Sequence, residues 1–146
     1  MKTVLIIEDD QRIAMALEIR MKAKGYATIV THDAIVGTSQ AVRHKPDLII
    51  LDISMPGGNG LDMATRFHKL PETKDVPIIF ATASKDPQLL ARVVDLEAVA
   101  LFEKPFDTDE LTHCVERTLN GKEKLASLAA TRTRSDGASR QTVGPG

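Results

Sequence analysis

The chain has 146 residues, a length that suits one domain built around one good core. Its 19 Lys and Arg against 20 Asp and Glu leave a formal net charge of −1. That balance makes no electrostatic case for nucleic acid or an anionic membrane as a direct partner.

Aromatic residues make up 3% and Trp is missing, so the core must be Leu, Ile, Val, Ala and Met. The single cysteine, Cys114, has no internal disulfide partner and reads as a small apolar helix residue. The apolar run at residues 4–7 is too short for a signal-peptide core, and three acids follow it at once. No stretch is long enough to span a bilayer. The expected location is the cytoplasm.

In chain order, residues 2–7 form an apolar run without alternation, the pattern of a strand buried on both faces. Asp10 can cap a helix on which Ile13, Leu17 and Met21 recur, with Gly25 at its C-terminal end. Residues 27–31 read as a second strand. Asp33 can cap a second helix that presents Ile35, Thr38 and Val42, and Pro46 ends it. Residues 48–51 are a third buried strand, stopping at Asp52. A turn-rich loop, Met55-Pro56-Gly57-Gly58-Asn59-Gly60, leads to a third helix over residues 61–69.

Residues 77–82 are a fourth strand. A fourth helix begins near Pro87, with Leu90 and Val94 on one face. Its four apolar residues, Leu89, Leu90, Val93 and Val94, make a broad patch; core packing explains part of it, and for the rest core packing and a partner surface stand as alternatives. Residues 98–103 are a fifth strand. Asp107 and Glu110 form a capping box for a fifth helix carrying Leu111, Cys114, Val115 and Leu119, closed by Gly121. Residues 122–130 can prolong that helix. From residue 131 the composition favours a flexible tail. The division is therefore a domain over residues 1–121 and an extension with tail over 122–146. Strands alternating with helices imply an α/β fold, a mostly parallel sheet covered on both faces.

Ligands of open α/β sheets bind beyond the carboxyl ends of the strands. Strand one ends in Glu8 and Asp9, strand three in Asp52, strand four in Thr82, and strand five in Lys104 and Pro105. Three carboxylates held together raise one another's pKa, and a hard cation relieves them. Oxygen ligands with room for water favour Mg²⁺. Lys104 adds a second positive centre and Thr82 a hydroxyl donor. This is equipment for phosphoryl transfer to a carboxylate, with Asp52 as nucleophile.

The segments Val4-Leu5-Ile6-Ile7-Glu8-Asp9-Asp10, Asp47-Leu48-Ile49-Ile50-Leu51-Asp52-Ile53-Ser54-Met55-Pro56-Gly57-Gly58-Asn59-Gly60, Ile78-Ile79-Phe80-Ala81-Thr82-Ala83 and Glu103-Lys104-Pro105-Phe106 carry a resemblance. In order and spacing they resemble the receiver domains of two-component response regulators, over about residues 1–121. The resemblance implies the flavodoxin-like, chemotaxis-regulator-like fold, with five parallel strands in order 2-1-3-4-5.

It also implies a Mg²⁺ site of Glu8, Asp9, Asp52 and the Ser54 backbone carbonyl, with Glu8 acting mainly through water. Asp52 becomes the phospho-acceptor, Thr82 bonds a phosphoryl oxygen beside a small Ala83, and Lys104 pairs with another oxygen. The Lys104–Pro105 bond is expected to be cis. The implied donor is a sensor histidine kinase or a phosphotransfer protein. The implied output is an effector, or self-association, through the fourth helix, fifth strand and fifth helix. Receivers mostly place Tyr or Phe three residues before the lysine. Here Leu101 stands there, and Phe102 beside it should face the other way. The switch should then rest on Thr82 more than on Leu101.

No enzymatic role is expected beyond slow self-phosphorylation and autodephosphorylation. A haloacid-dehalogenase-type phosphohydrolase needs a second acid two residues after the nucleophile, and Ser54 occupies that place. A phosphorylation-independent interaction module is the main rival, but such modules usually lose an acid, the hydroxyl or the lysine. Glu8-Asp9-Asp10 after strand one exclude a dinucleotide-binding turn. Residues 57–60 lack the P-loop Lys-Ser/Thr pair and read as a tight turn. His32, His44, His68 and His113 show no ligand spacing and read as surface residues.

Overall fold

The computed structural model describes residues 1–127, with side chains to residue 121. The elements are β1 (Thr3–Ile7), α1 (Gln11–Ala23), β2 (Ala27–Thr31), α2 (Ala34–His44), β3 (Leu48–Asp52), a hairpin of β4 (Ser54–Met55) and β5 (Gly58–Asn59), α3 (Gly60–Phe67), β6 (Ile78–Thr82), α4 (Gln88–Asp95), β7 (Ala100–Glu103) and α5 (Thr108–Ser127). Five strands form one parallel sheet in the order β2-β1-β3-β6-β7. Counted along that sheet alone, this is the expected 2-1-3-4-5. The hairpin overlaps the turn-rich loop expected over residues 55–60, and it pairs Ser54 with Asn59.

The unbroken apolar runs exist because both faces of the sheet are buried. Alternation splits each strand between two cores. Leu5, Ile7, Ile49, Leu51, Ile78 and Phe80 face α2, α3 and α4. Val4, Ile6, Leu48, Ile50, Ile79 and Phe102 face α1 and α5, where Leu17, Met21, Leu111, Cys114, Val115 and Leu119 pack as the sequence indicates. Asp10, Asp33 and Asn59 cap α1, α2 and α3 through side-chain oxygens.

Some helix faces and element ends differ from expectation. On α2 the buried residues are Ala34, Gly37 and Ala41, while Ile35 is 74% exposed. The helix lies so close to β1 that a Cβ on Gly37 would stand 2.9 Å from two side-chain carbons of Ile7. Only small residues fit that face. On α4 the buried pair is Leu89 and Val93, while Leu90 and Val94 share the outward face at 49% and 47% exposure. Gly121 does not close α5, which continues to Ser127. The fifth strand also begins at Ala100 rather than residue 98. The expected tail over residues 131–146 lies outside the described residues.

Candidate functional site at the carboxyl ends of the strands

Parallel pairing sets the strand ends level with one another. Asp52 is the last residue of β3 and pairs with Ala81, while Thr82 ends β6 opposite Glu103. Glu8 follows β1 directly. Carboxylate oxygens of Glu8, Asp9 and Asp52 lie within 4.8 Å of one another. Glu8, Asp52 and Thr82 are buried and Asp9 is exposed.

Lys104 reaches into this group from the end of β7. Its Nζ donates to Glu8 Oε2 at 2.8 Å and to Asp52 Oδ2 at 3.0 Å. Its backbone N–H donates to Thr82 O at 2.7 Å, and its bond to Pro105 is cis. The Asp10 N–H also donates to Glu8 Oε2, and the Ser54 N–H donates to Asp52 Oδ1 at 3.2 Å. The Thr82 hydroxyl accepts from the Ser84 N–H at 2.9 Å. Leu101 is half-buried against the α4-side core, and Phe102 lies in the opposite core. The two side chains thus lie on opposite faces of the sheet, as alternation along β7 requires.

One ammonium among three carboxylates leaves a surplus of negative charge. Burial, followed by the carboxylates of Asp9 and Glu8, pushes the Asp52 carboxyl up to about 7. Asp9 shifts the other way, held below its ordinary value chiefly by a hydrogen bond from Asp52. Burial works against the charge on Lys104, yet its bonds to Glu8 and Asp52 prevail and raise its pKa. An all-oxygen donor set carrying excess charge, with one ligand exposed to admit water, fits a hard divalent cation such as Mg²⁺.

Two residues in this neighbourhood escaped the sequence reading. A Cβ on Gly60 would lie 2.5 Å from the Asp52 carbonyl oxygen, so the start of α3 presses directly on the acceptor's backbone. His32 is exposed, as expected, but its Nδ1 lies 2.9 Å from the Glu8 carbonyl oxygen. Its place immediately after a strand was the only available signal. His68 is half-buried rather than a free surface residue, with Nε2 bonded to Leu96 O at 2.8 Å.

A family model described as the response regulator receiver domain matches residues 4–116. The chain belongs to that family. Among curated relatives, the DNA-binding dual master transcriptional regulator RpaA of Synechocystis is 31% identical over 88% of this chain and 54% of its own length. The response regulator ArlR of Staphylococcus aureus is 35% identical over 76% of this chain and 49% of its own. The receiver domain thus spans about half the length of the curated relatives it matches. Among solved structures, a putative response regulator from Chloroflexus aurantiacus superposes with a TM-score of 0.75 at 29% identity, covering 82% of this chain and 98% of that one. A CheY-like receiver from Methanospirillum hungatei shares the fold, with a TM-score of 0.79 at 22% identity over 85% of this chain and 98% of that one. No helix among the described residues is long and apolar enough to cross a membrane.

Proposed function

We propose that this receiver accepts a phosphoryl group on Asp52 from the phosphohistidine of a sensor kinase or phosphotransfer protein, in the cytoplasm. The observation that carries the reading is Lys104 bridging Glu8 and Asp52 beside Asp9, inside a cluster short of positive charge. Asp9, Asp52 and the Ser54 carbonyl would hold Mg²⁺, with Glu8 acting mainly through water. Bound there, Mg²⁺ supplies the positive charge that lets an anionic phosphoryl group approach a carboxylate.

In the transfer, an Asp52 carboxylate oxygen forms the new O–P bond as the P–N bond to the donor histidine breaks. Lys104 is already within bonding distance of Asp52 Oδ2 and turns to a phosphoryl oxygen. Thr82 gives up the Ser84 N–H and donates its hydroxyl to another. The cost of that exchange is about one hydrogen bond, within reach of a charge-assisted partner. The displaced residues 83–87 lead directly into α4, so the signal leaves through α4, β7 and α5. The outward Leu90 and Val94 make that face suited to an effector or a second copy.

Ser54 in place of a second acid leaves nothing to protonate a leaving group, which argues against phosphohydrolase turnover. The name of one relative carries DNA binding; the near-neutral charge balance of this sequence supplies no electrostatic support for direct contact with nucleic acid. The test is intact-mass measurement after incubation with acetyl phosphate and Mg²⁺. One phosphate adduct is expected on the wild type and none on Asp52→Asn. An adduct that survives the substitution overturns the assignment.

A further inference from the structure

Among the described residues, His32 is the side chain outside the acid–lysine group that bonds the main chain of Glu8. The β1–β2 ladder explains why it is needed. Its rungs run from Ala27 N–H to Lys2 O at the start and from Glu8 N–H to Thr31 O, 3.0 Å, at the end. Regular alternation would place the next rung from Asp33 N–H to Glu8 O. Asp33 is instead the N-cap of α2, with its Oδ1 accepting from Val36 N–H at 2.8 Å. The chain has left the ladder one rung early.

The imidazole of His32 fills that place. A carbonyl oxygen can only accept, so Nδ1 carries the proton and donates to Glu8 O at 2.9 Å. The bond fixes the tautomer and leaves Nε2 unprotonated in the neutral ring. The neighbouring Thr31 hydroxyl, buried and without a hydrogen-bond partner, does not share the task. Glu8 is thereby held at both main-chain groups, N–H by Thr31 and C=O by His32. Its side chain in turn holds Lys104, which holds Asp52.

We infer that His32 is a positioning residue for the acid site: its Nδ1–H replaces the missing rung of the β1–β2 ladder and fixes the backbone from which Glu8 and Asp9 project. Residues behind metal-binding acids act in this way by restricting the ligand's orientation rather than by touching the metal. The metal arm of the test rests on the phospho-acceptor reading; the two other arms do not.

The experiment compares the wild type with His32→Ala and His32→Asn. Asparagine carries its Nδ2–H where histidine carries Nδ1–H, so it keeps the donor and discards the ring. The readouts are the ¹⁵N tautomer signature of His32 and the hydrogen-exchange rate of the Glu8 amide, both without metal, and Mg²⁺ affinity by NMR titration. The neutral ring should carry its proton on Nδ1. His32→Ala should speed Glu8 exchange and weaken Mg²⁺ binding, each about fivefold, the worth of one ordinary hydrogen bond. His32→Asn should restore both.

The inference is overturned by an Nε2-protonated ring, by unchanged exchange in His32→Ala, or by an asparagine variant no better than alanine. Faster exchange with unchanged Mg²⁺ affinity also overturns it, because the bond then serves the strand end alone. A wild type that binds no Mg²⁺ defeats the phospho-acceptor reading, while the exchange and tautomer arms still decide whether His32 clamps Glu8.

Discussion

The strand-end cluster and the segment that leads from it into α4 are built on opposite principles. In the cluster, Glu8, Asp52 and Thr82 are buried, and Lys104 joins strands from the middle and the edge of the sheet. In the segment, residues 83–88 are all exposed. Its hydrogen bonds are local, from Ser84 N–H to Thr82 Oγ1, Asp86 N–H to Ser84 Oγ, Gln88 N–H to Asp86 Oδ1 and Leu89 N–H to Asp86 O, and an exposed ion pair, Lys85–Glu103, links it to β7. The helix it feeds has eight residues, and its N-cap Pro87 makes no side-chain capping bond. A site that must orient a phosphoryl group gains from groups fixed beforehand. A segment that must rearrange is best drawn from the low-stability end of the fold. Thr82 belongs to both regions, as the last residue of a buried strand and the first link of the exposed chain.

The largest effect should fall on the rigid side. Asp52→Asn should abolish phosphorylation by acetyl phosphate, read by intact mass, while the fold survives. Next in size, Asp9→Asn should weaken Mg²⁺ binding at least tenfold in an NMR titration, with the amides at residues 8–10 and 52–54 losing their response. The same site should show a pH dependence of definite sign. Asp52 holds its proton more tightly when folded, since its carboxyl is pushed up to about 7. Its contribution to metal-free stability is full below the ordinary carboxylate range, about 4, and is lost as pH rises through about 7. Mg²⁺ needs the ionised form, so its affinity should climb through that window and its stabilisation should appear there. Thermal melts with and without Mg²⁺ should therefore converge in mild acid and separate in mild alkali. Melts that differ equally at both ends would contradict the proposed metal site.

Much of the cluster was legible because parallel strands buried on both faces leave unbroken apolar runs. Where each run stops, the next residue has to lie at the ligand-binding edge. Glu8, Asp9, Asp52, Thr82 and Lys104 were found on that ground alone. The faces of α2 and α4 were not. On α2, close approach to Ile7 reverses the usual rule, burying Ala34, Gly37 and Ala41 while Ile35 stands out. On α4, two adjacent apolar stripes offer two rotations, and the structure packs the Leu89–Val93 stripe into the core. Gly121 looked like a stop, yet glycine ends a helix only where a left-handed residue is required, and inside one it costs about 1 kcal/mol. His32 stayed hidden because the rung it replaces is visible only once the ladder's register is known.

Within α4 the inner and outer stripes should respond differently to truncation. Leu89→Ala should destabilise the protein by about 2 kcal/mol in a denaturant melt, since the side chain is buried in the α4-side core. Leu90→Ala, one residue on and outward-facing, should stay within about 0.5 kcal/mol. Any loss from Leu90→Ala should show in self-association or effector capture instead. Equal destabilisation by both would mean that the helix is rotated from the orientation described.

The smallest effect should come from Leu101. With beryllofluoride as the phosphoryl mimic, amide shifts over residues 83–95 should collapse in Thr82→Ala and persist in Leu101→Ala. A differential energy of about 1.4 kcal/mol already changes a two-state ratio tenfold, so a switch without an aromatic ring can still operate. Collapse in Leu101→Ala as complete as in Thr82→Ala would make the leucine a required part of the switch.

Cys114 gives the molecule a built-in clock. It is the chain's one thiol, buried between α5 and the sheet, and burial pushes its pKa above the ordinary value. Only the thiolate reacts with an alkylating reagent, and here the folded state withholds both the proton's departure and the reagent's approach. Modification must then wait for α5 to leave the sheet. The rate of alkylation therefore times that opening directly. The native protein can also carry a single introduced cysteine elsewhere as a reporter without first being stripped of its own.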